Sequence, residues 1–404
     1  MNRSATISRQ TPDKPAVQIR VIVGALAVML VLAVVINQTV STRMALLFAT
    51  GSAFGIVLYY ALFGFTSAFR VLLADGRSAG FRAQMVMLGV ACLLIFPALA
   101  NGSLFGQPVT GFVSPLAVSV AVGAFLFGLG MQMGGGCASG TLFAAGGGNT
   151  RMFVTLLFFV VGSVIGVTHL GWWQSLPAHA PVSLVKSFGW PLALALNIVV
   201  FAMAYMVVVR IERARHGVVE PILTIRNATW LRGPWPLLAG AVGLAVLNFV
   251  TLYLAGRPWG ITSAFGLWGG MALQAMHVPI ETWPGYSAPA MQQALAAPVL
   301  ADTTSVMDFG IMLGALLAAG MACKFKPVWS ISGRHFLASA IGGLLLGYGA
   351  RLAYGCNIGA FFSGIASGSL HGWMWIVFAL IGNWAGLFVR PLFNLPVPVR
   401  ASAC

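Results

Sequence analysis

The sequence predicts an all-α polytopic membrane protein of about ten transmembrane helices plus four short re-entrant half-helices, arranged as two inverted structural repeats. Three observations predict it. The 404-residue chain is 59% hydrophobic and only 7% charged, whereas soluble domains run at about a quarter charged. Apolar runs long enough to cross a bilayer recur along its whole length. A glycine pattern is also built twice around a cysteine: Gly123, Gly128, Gly130, Gly136 and Gly140 flank Cys137 at the same spacings as Gly342, Gly347, Gly349, Gly355 and Gly359 flank Cys356. Apolar composition alone does not produce such a pattern. Glycine permits the positive φ values and close backbone approach that a chain needs to stop being helical inside a membrane.

In chain order, a polar arm (1–16) carries Arg3, Arg9 and Lys14 against Asp13 and runs into an apolar segment too long for a signal-peptide core. The spanning runs are 17–39, 44–62, 81–100, 115–133, 152–171, 189–211, 234–256, 307–323, 334–353 and 371–392. Arg70 and Arg77 lie between the second and third runs, with Arg82 at the head of the third. Arg213, Arg215, Arg226 and Arg232 lie between the sixth and seventh, with Arg210 at the end of the sixth. Lys324 and Lys326 lie between the eighth and ninth, with Arg334 opening the ninth; Arg390 ends the tenth and Arg400 follows it. The segment 277–306 holds Glu281 and Asp302 but no Lys or Arg, and 101–114 is uncharged. Ten spans with both termini in the cytoplasm satisfy every one of these loops. The net charge of +15 is therefore read as positive-inside bias and attraction to anionic lipid, not as a nucleic-acid footprint.

This topology makes the cysteine repeats inverted, because Cys137 is approached from the cytoplasmic side and Cys356 from outside. A second pair agrees: Gly64-Phe65-Thr66-Ser67-Ala68-Phe69 and Gly260-Ile261-Thr262-Ser263-Ala264-Phe265 differ only at the second position. The repeats cover 44–171 and 234–392. An extra first helix (17–43), an extra helix with a basic loop (172–233) and a cytoplasmic tail (393–404) lie outside them. Inverted repeats with broken helices are the sequence signature of a transporter whose site lies near the midplane, where the halves meet. The re-entrant segments are 64–73, 137–149, 260–276 and 356–368, each opening on or immediately after a glycine and then on residues suited to N-capping: Thr66 and Ser67, Ser139, Thr262 and Ser263, and Asn357. Half-helix N-termini converging on one volume, each with roughly half a positive charge, favour a small anion.

The candidate binding residues are Cys137 and Cys356 with Gly136, Gly355, Ser139, Asn357, Thr66, Thr262 and Arg351. A cysteine in an apolar span is ordinarily inert filler, and Cys92, Cys323 and Cys404 fit that reading; Cys137 and Cys356 differ because they occupy equivalent places in a repeated break. Ser139, Asn357, Thr66 and Thr262 could donate to an anion or simply cap their helices. Arg351 is an intramembrane charge and so a functional candidate by default, although it could also snorkel or bond freed carbonyls. Its counterpart in the first repeat is the neutral Gln132, which makes the charge one-sided. His371 reads as an interface residue at the start of a span. No Cys-x-x-Cys pair and no metal-ligand histidine spacing occur, so no metal or other cofactor is expected. Met131 and Met133 raise a soft-metal path only weakly. The span interiors hold almost no carboxylates, Asp308 at the start of the eighth run being the nearest, and no coupling ion is evident.

At these residues the sequence resembles the YeeE/YedE family of sulfur-transport membrane proteins. The resemblance rests on Gly349-Ala350-Arg351-Leu352-Ala353-Tyr354-Gly355-Cys356-Asn357, Ala360-Phe361-Phe362-Ser363-Gly364-Ile365, Ser369-Leu370-His371, Gly134-Gly135-Gly136-Cys137 and Thr66-Ser67-Ala68-Phe69-Arg70. It covers about residues 44 to 392. It implies a permease rather than an enzyme, in a bacterial inner membrane, that takes up a small sulfur-containing anion, thiosulfate first, handed along by cysteine thiols in a narrow centre. It also implies a small cytoplasmic sulfur-carrier protein as a partner. Members often carry a further cysteine just before the Thr-Ser-Ala-Phe-Arg stretch; here that position is Gly64. A selenium compound, sulfite or sulfide would suit similar pore chemistry. A membrane thiol oxidoreductase using Cys137 and Cys356 is the alternative of a different class.

Overall fold

The computed structural model describes residues 17–224 and 230–398. The arm 1–16, Arg226, Arg400 and Cys404, which enter the charge and cysteine readings above, lie outside the described residues.

The elements in order are α1 (Ile19–Thr39), α2 (Thr42–Tyr60), α3 (Phe65–Ala74), α4 (Ala79–Asn101), α5 (Val118–Gly134), α6 (Ala138–Gly146), α7 (Arg151–Gln174), α8 (Leu184–Phe188) and α9 (Trp190–His216). They continue with α10 (Leu237–Ala255), α11 (Ser263–Ala275), α12 (Pro289–Ala296), α13 (Thr303–Met321) and α14 (Gly333–Leu352). A π-helix, Asn357–Phe362, then runs into the single turn α15 (Ser363–Ile365), and α16 (Leu370–Val389) follows. Among the described residues ten helical segments are long and apolar enough to cross a membrane, in agreement with the ten apolar runs. The protein is an all-α polytopic membrane protein. Among the described residues strand is confined to two-residue ladders.

Helix ends carry the expected chemistry. Ser41 Oγ accepts from the Met44 amide at 3.2 Å, and Asp302 caps α13 by accepting from the Ser305 amide at 2.7 Å. Supplying such an acceptor is worth about 1 kcal/mol. The long helices are held by backbone contact at small residues, as membrane interfaces require. Gly51, Gly55, Gly310 and Gly314 join α2 to α13, where a Cβ on Gly314 would collide with the Ser52 carbonyl. Gly162, Gly343 and Gly347 join α7 to α14 in the same way, and Gly128 and Gly382 join α5 to α16.

These contacts also give the relative directions of the helices. Gly55 faces Ile311 and Gly51 faces Met307, so α2 and α13 run parallel; α7 with α14 and α5 with α16 do the same. Between α5 and α14 the order reverses: a Cβ on Gly130 would lie 2.8 Å from the Gly342 carbonyl, and one on Gly349 would lie 2.5 Å from that of Gly123. Alternating spans in the predicted order give all four relations. The neighbours exchange in pairs as well. Helix α2 packs on α13 and α10 on α4; α7 packs on α14 and α16 on α5; α11 meets α7 and α3 meets α16. The first and sixth long helices take equivalent places too, α1 against α13 and α9 against α4. Helix α13 is the most enclosed of the ten and α1 the most lipid-facing.

Adding a methyl group where a backbone carbonyl already sits forces helices apart, at a cost of about 1–3 kcal/mol. Gly314→Ala and Gly347→Ala are therefore expected to lower the melting temperature in detergent. Gly24→Ala and Gly171→Ala, where nothing lies within 4 Å of the added carbon, should leave it unchanged. Equal melting of all four variants would refute glycine-driven packing.

Candidate functional site

The site is built on the two glycine-cysteine breaks. Helix α5 ends at Gly135, whose φ of +88° lies in the left-handed region open to glycine. The chain turns through Gly136, where a Cβ would lie 3.0 Å from the Thr141 nitrogen, and α6 begins with Cys137 as its N-cap. The Cys137 sulfur accepts from the Gly140 amide at 3.4 Å and lies 3.3 Å from Ser139 Oγ. Its carbonyl accepts from both the amide and the hydroxyl of Thr141, each at 2.8 Å.

The second break repeats this construction with a different helix type. Tyr354 and Gly355 both take positive φ, +52° and +150°. A Cβ on Gly355 would lie 2.7 Å from the Ala360 nitrogen. Cys356 is the N-cap of the π-helix, and its sulfur accepts from the Ile358 amide at 3.4 Å. Both cysteines are buried, and α6 packs against the π-helix. Two thiols from opposite halves thus sit at the starts of two touching short helices. Each sulfur accepts from an amide of its own helix, and a thiol can both accept and donate.

The hydroxyl and amide residues are not the caps the sequence pattern indicates. Cys137 caps in place of Ser139, Cys356 in place of Asn357, and Gly64 is the N-cap of α3 without side-chain help. Thr262 stands at the N-cap of α11, but its side chain accepts no capping bond. The reason is geometric: after a glycine turn the first residue in reach of the free amides is the cysteine itself. Asn357 and Thr66 are left buried, with neither amide atom of Asn357 and not the hydroxyl of Thr66 hydrogen-bonded to protein. These are unspent polar groups at the centre.

That centre is narrow and aromatic. Phe361 has its ring 6.5 Å from Phe65 and 6.3 Å from Trp375, and Phe362 lies 6.4 Å from Trp259. The indole N–H groups of Trp259 and Trp375 are buried and lack protein partners. A pocket of about 290 Å³ opens on the Cys356 side, lined by Arg257, Thr262, Ser263, Tyr354, Gly355 and Gly359 among others. A second, of about 200 Å³, is lined by Gly64, Ser67, Gln84, Arg77 and Glu220. The two include equivalent positions of the repeated Gly-x-Thr-Ser-Ala-Phe stretch.

Arg351 is half-buried and donates from Nη2 to the Thr262 carbonyl, tying α14 to the start of α11; its Nε has no partner. The sequence pairing of Arg351 with Gln132 predicts a one-sided charge, and the structure corrects this. Gln132 accepts from Arg70 Nε at 2.8 Å, and Arg70 stands on α3 where α11 has Gly266. A Cβ on Gly266 would lie 3.2 Å from the Arg351 guanidinium, so that guanidinium occupies the space that Gly266 leaves. Each half therefore carries one guanidinium at the same junction, contributed by α3 in one and by α14 in the other. Only the joint reading of both repeated stretches exposes the exchange. His371, in the first turn of α16, is buried, and its Nε2 lies 2.8 Å from the Ala353 carbonyl just before the break. Cys92 is buried beside the Ile365 carbonyl, its sulfur 3.8 Å away. Among the described residues no group of His, Cys, Asp or Glu could hold a metal ion. Trp259, missed in the sequence, links Asn248, Ser363 and Phe54 around the break.

This architecture has known relatives. The family model described as sulphur transport matches residues 60–385. The chain belongs to this family. It is 29% identical over 345 residues to the thiosulfate transporter TsuA of Spirochaeta thermophila, covering 83% of this chain and 95% of that protein. It is 25% identical to the thiosulfate transporter TsuA of Escherichia coli K12, covering 84% and 94% of the two chains. The probable transporter YedE of Escherichia coli K12 is 32% identical over 173 residues, 42% of each. The family match spans both breaks and the aromatic centre, so the chain is a transporter and not an enzyme.

Removing a charged donor from a buried carbonyl costs about 1.5–3 kcal/mol. Arg351→Ala is therefore expected to lower the melting temperature and Arg351→Lys to recover part of the loss. An unchanged melting temperature for the alanine variant would show that the Thr262 anchor carries no load.

Proposed function

We propose that the chain is a permease for uptake of a small sulfur-containing anion, thiosulfate first, through the constriction between the two capped breaks. One observation carries the reading: two buried thiols, one from each half, cap two short helices that pack on one another, in a family whose full-length relatives above carry the name thiosulfate transporter. A thiol is a weak donor and holds a soft anion without trapping it, which conduction requires. The unbonded Asn357, Thr66, Trp259 and Arg351 donors around the aromatic centre supply further contacts that strengthen only when an anion is present.

The halves act as inverted repeats. Antiparallel packing of α5 on α14 and the exchange of neighbours support a two-fold relation in the membrane plane. The four short helices α3, α6, α11 and the π-helix with α15 are its re-entrant elements. Arg257 lines the pocket on the Cys356 side and attracts the anion there. The anion meets Cys356 first and Cys137 second, then leaves toward the cytoplasm, where a small sulfur-carrier protein receives it. Both termini lie in the cytoplasm of a bacterial inner-membrane protein, because Lys324, Lys326 and Arg334 flank one loop while 277–301 lacks basic residues.

Loss of one hydrogen bond to the anion is worth about 1.5–3 kcal/mol, or roughly tenfold to a hundredfold in rate where that step limits transport. Cys137→Ala and Cys356→Ala are expected to show that loss in labelled thiosulfate uptake, normalised to membrane protein. The serine variants should lose less, and Cys323→Ala almost nothing. Equal uptake by all of them would sink the thiol relay. Orientation is tested separately: Glu281→Cys should react with an impermeant maleimide added to whole cells. Labelling only after the membrane is opened would reverse the topology.

A further inference from the structure

The permease reading leaves one buried ionisable group unused. Asp308 lies on α13, the most enclosed long helix, about 8 Å in from its outer end by helical rise. It is fully buried, and neither carboxyl oxygen has a hydrogen-bond partner. Neighbouring faces of α13 are engaged: Met307, Gly310, Ile311 and Gly314 lie on α2, and Ser305 bonds the indole of Trp268. Asp308 belongs to the row Thr304, Asp308, Met312, which shares one face at i+4 spacing. Thr304 Oγ1 accepts from Arg257 at 3.2 Å and lies 2.9 Å from Ser263 Oγ; both partners line the pocket on the Cys356 side. The Met312 backbone packs on Gly146 of α6. Asp308 is therefore set between the outer pocket and the helix that Cys137 caps.

We propose that Asp308 couples transport to the proton gradient, its carboxyl taking a proton from the outer side and passing it inward with the anion. The inference rests on the permease reading. A carboxylate in this position repels an approaching anion, whereas the neutral acid presents an O–H that donates to it. The anion passes only when Asp308 is loaded. The O–H bond forms with a proton from the outer aqueous phase and breaks when that proton leaves toward the cytoplasm; no electron changes hands. A metal ion fits less well, because it needs several oxygen ligands and no protein group lies within hydrogen-bond reach of the Asp308 carboxyl.

The other ionisable groups near this face are few. Asp302 at the head of α13 is engaged by the Ser305 amide and hydroxyl at 2.7 and 2.6 Å. Helix α6 contributes only Cys137 at its cap, the π-helix Cys356 at its own, and α11 none. Helix α2 has Arg43, bonded to the Leu254 carbonyl, and Tyr59 and Tyr60 at its far end; α1 has only Arg20. Arg257 is held by Thr304. Asp308 is the one carboxyl among them without a bond.

The test uses the full chain in lipid vesicles containing a pH dye, with potassium and valinomycin holding the potential at zero. Labelled thiosulfate added outside should enter together with protons, about one or more per ion, and faster as the outer pH falls. Asp308→Asn should lower the proton-to-thiosulfate ratio at least tenfold and abolish the pH dependence, and Asp308→Glu should restore both. A purely structural residue would change the amount of active protein and leave the ratio alone. Thiosulfate influx without acidification in the unmodified protein, influx that follows outer sodium instead, or an unchanged ratio in Asp308→Asn would each overturn the inference and leave the permease reading standing. The first two need no variant to fold. Vesicles that take up no thiosulfate at all would overturn the permease reading and this inference with it.

Discussion

A helix that stops at membrane depth must find partners for the backbone groups it frees, because lipid supplies none. Much of the centre of this protein follows from that constraint. At each break the amides at the head of the new helix are met by the sulfur of Cys137 or Cys356. The carbonyl of each cysteine is taken by an amide one turn on. Freed carbonyls nearby are met by longer side chains: Arg351 on Thr262, His371 on Ala353, and Arg390 Nη1 on Gln132 at 2.5 Å. The residues that close these backbone gaps are also the ones we propose to face the substrate. Architecture and chemistry share one set of side chains.

Glycine makes the breaks possible twice over. At Gly135 and Gly355 it supplies backbone angles that a side chain would strain. Along α5, α7, α14 and α16 it lets helices touch at the backbone, which brings the two breaks together. An interface of that kind tolerates little sliding, since each glycine sits over a particular carbonyl. The long helices then form a fixed frame, and in the permease we propose any adjustment during transport falls to the short elements. The π-helix is a natural place for it, because its wide turn is rarely stable without support and is frequently found at functional sites.

The exchange of Arg70 for Arg351 shows how two related halves can diverge while keeping one electrostatic design. Both guanidiniums stand where a short helix meets the long helix before a break, one bonded to a side-chain amide and the other to a main-chain carbonyl. Neither lies on α13, the helix that carries Asp308.

The sequence by itself determined the ten spans, since transfer of an apolar run into lipid is a sum over local residues that needs no knowledge of partners. It also determined both breaks, because glycine and cysteine recur there at matching spacings. What only the tertiary structure decided was which atoms those breaks leave bonded and which they leave free. That Cys137 and not Ser139 caps α6, that His371 turns inward onto Ala353, and that Arg70 answers Arg351 all depend on distances between segments remote in the chain. Asp308 is the clearest case. In the sequence it is one acid near the start of an apolar run, indistinguishable from an interfacial residue. Its isolation emerges only when α2 takes the glycine face of α13 and leaves the carboxyl beside the helices of the breaks, because hydrogen-bond satisfaction in a membrane is a property of the packed assembly and not of any one segment.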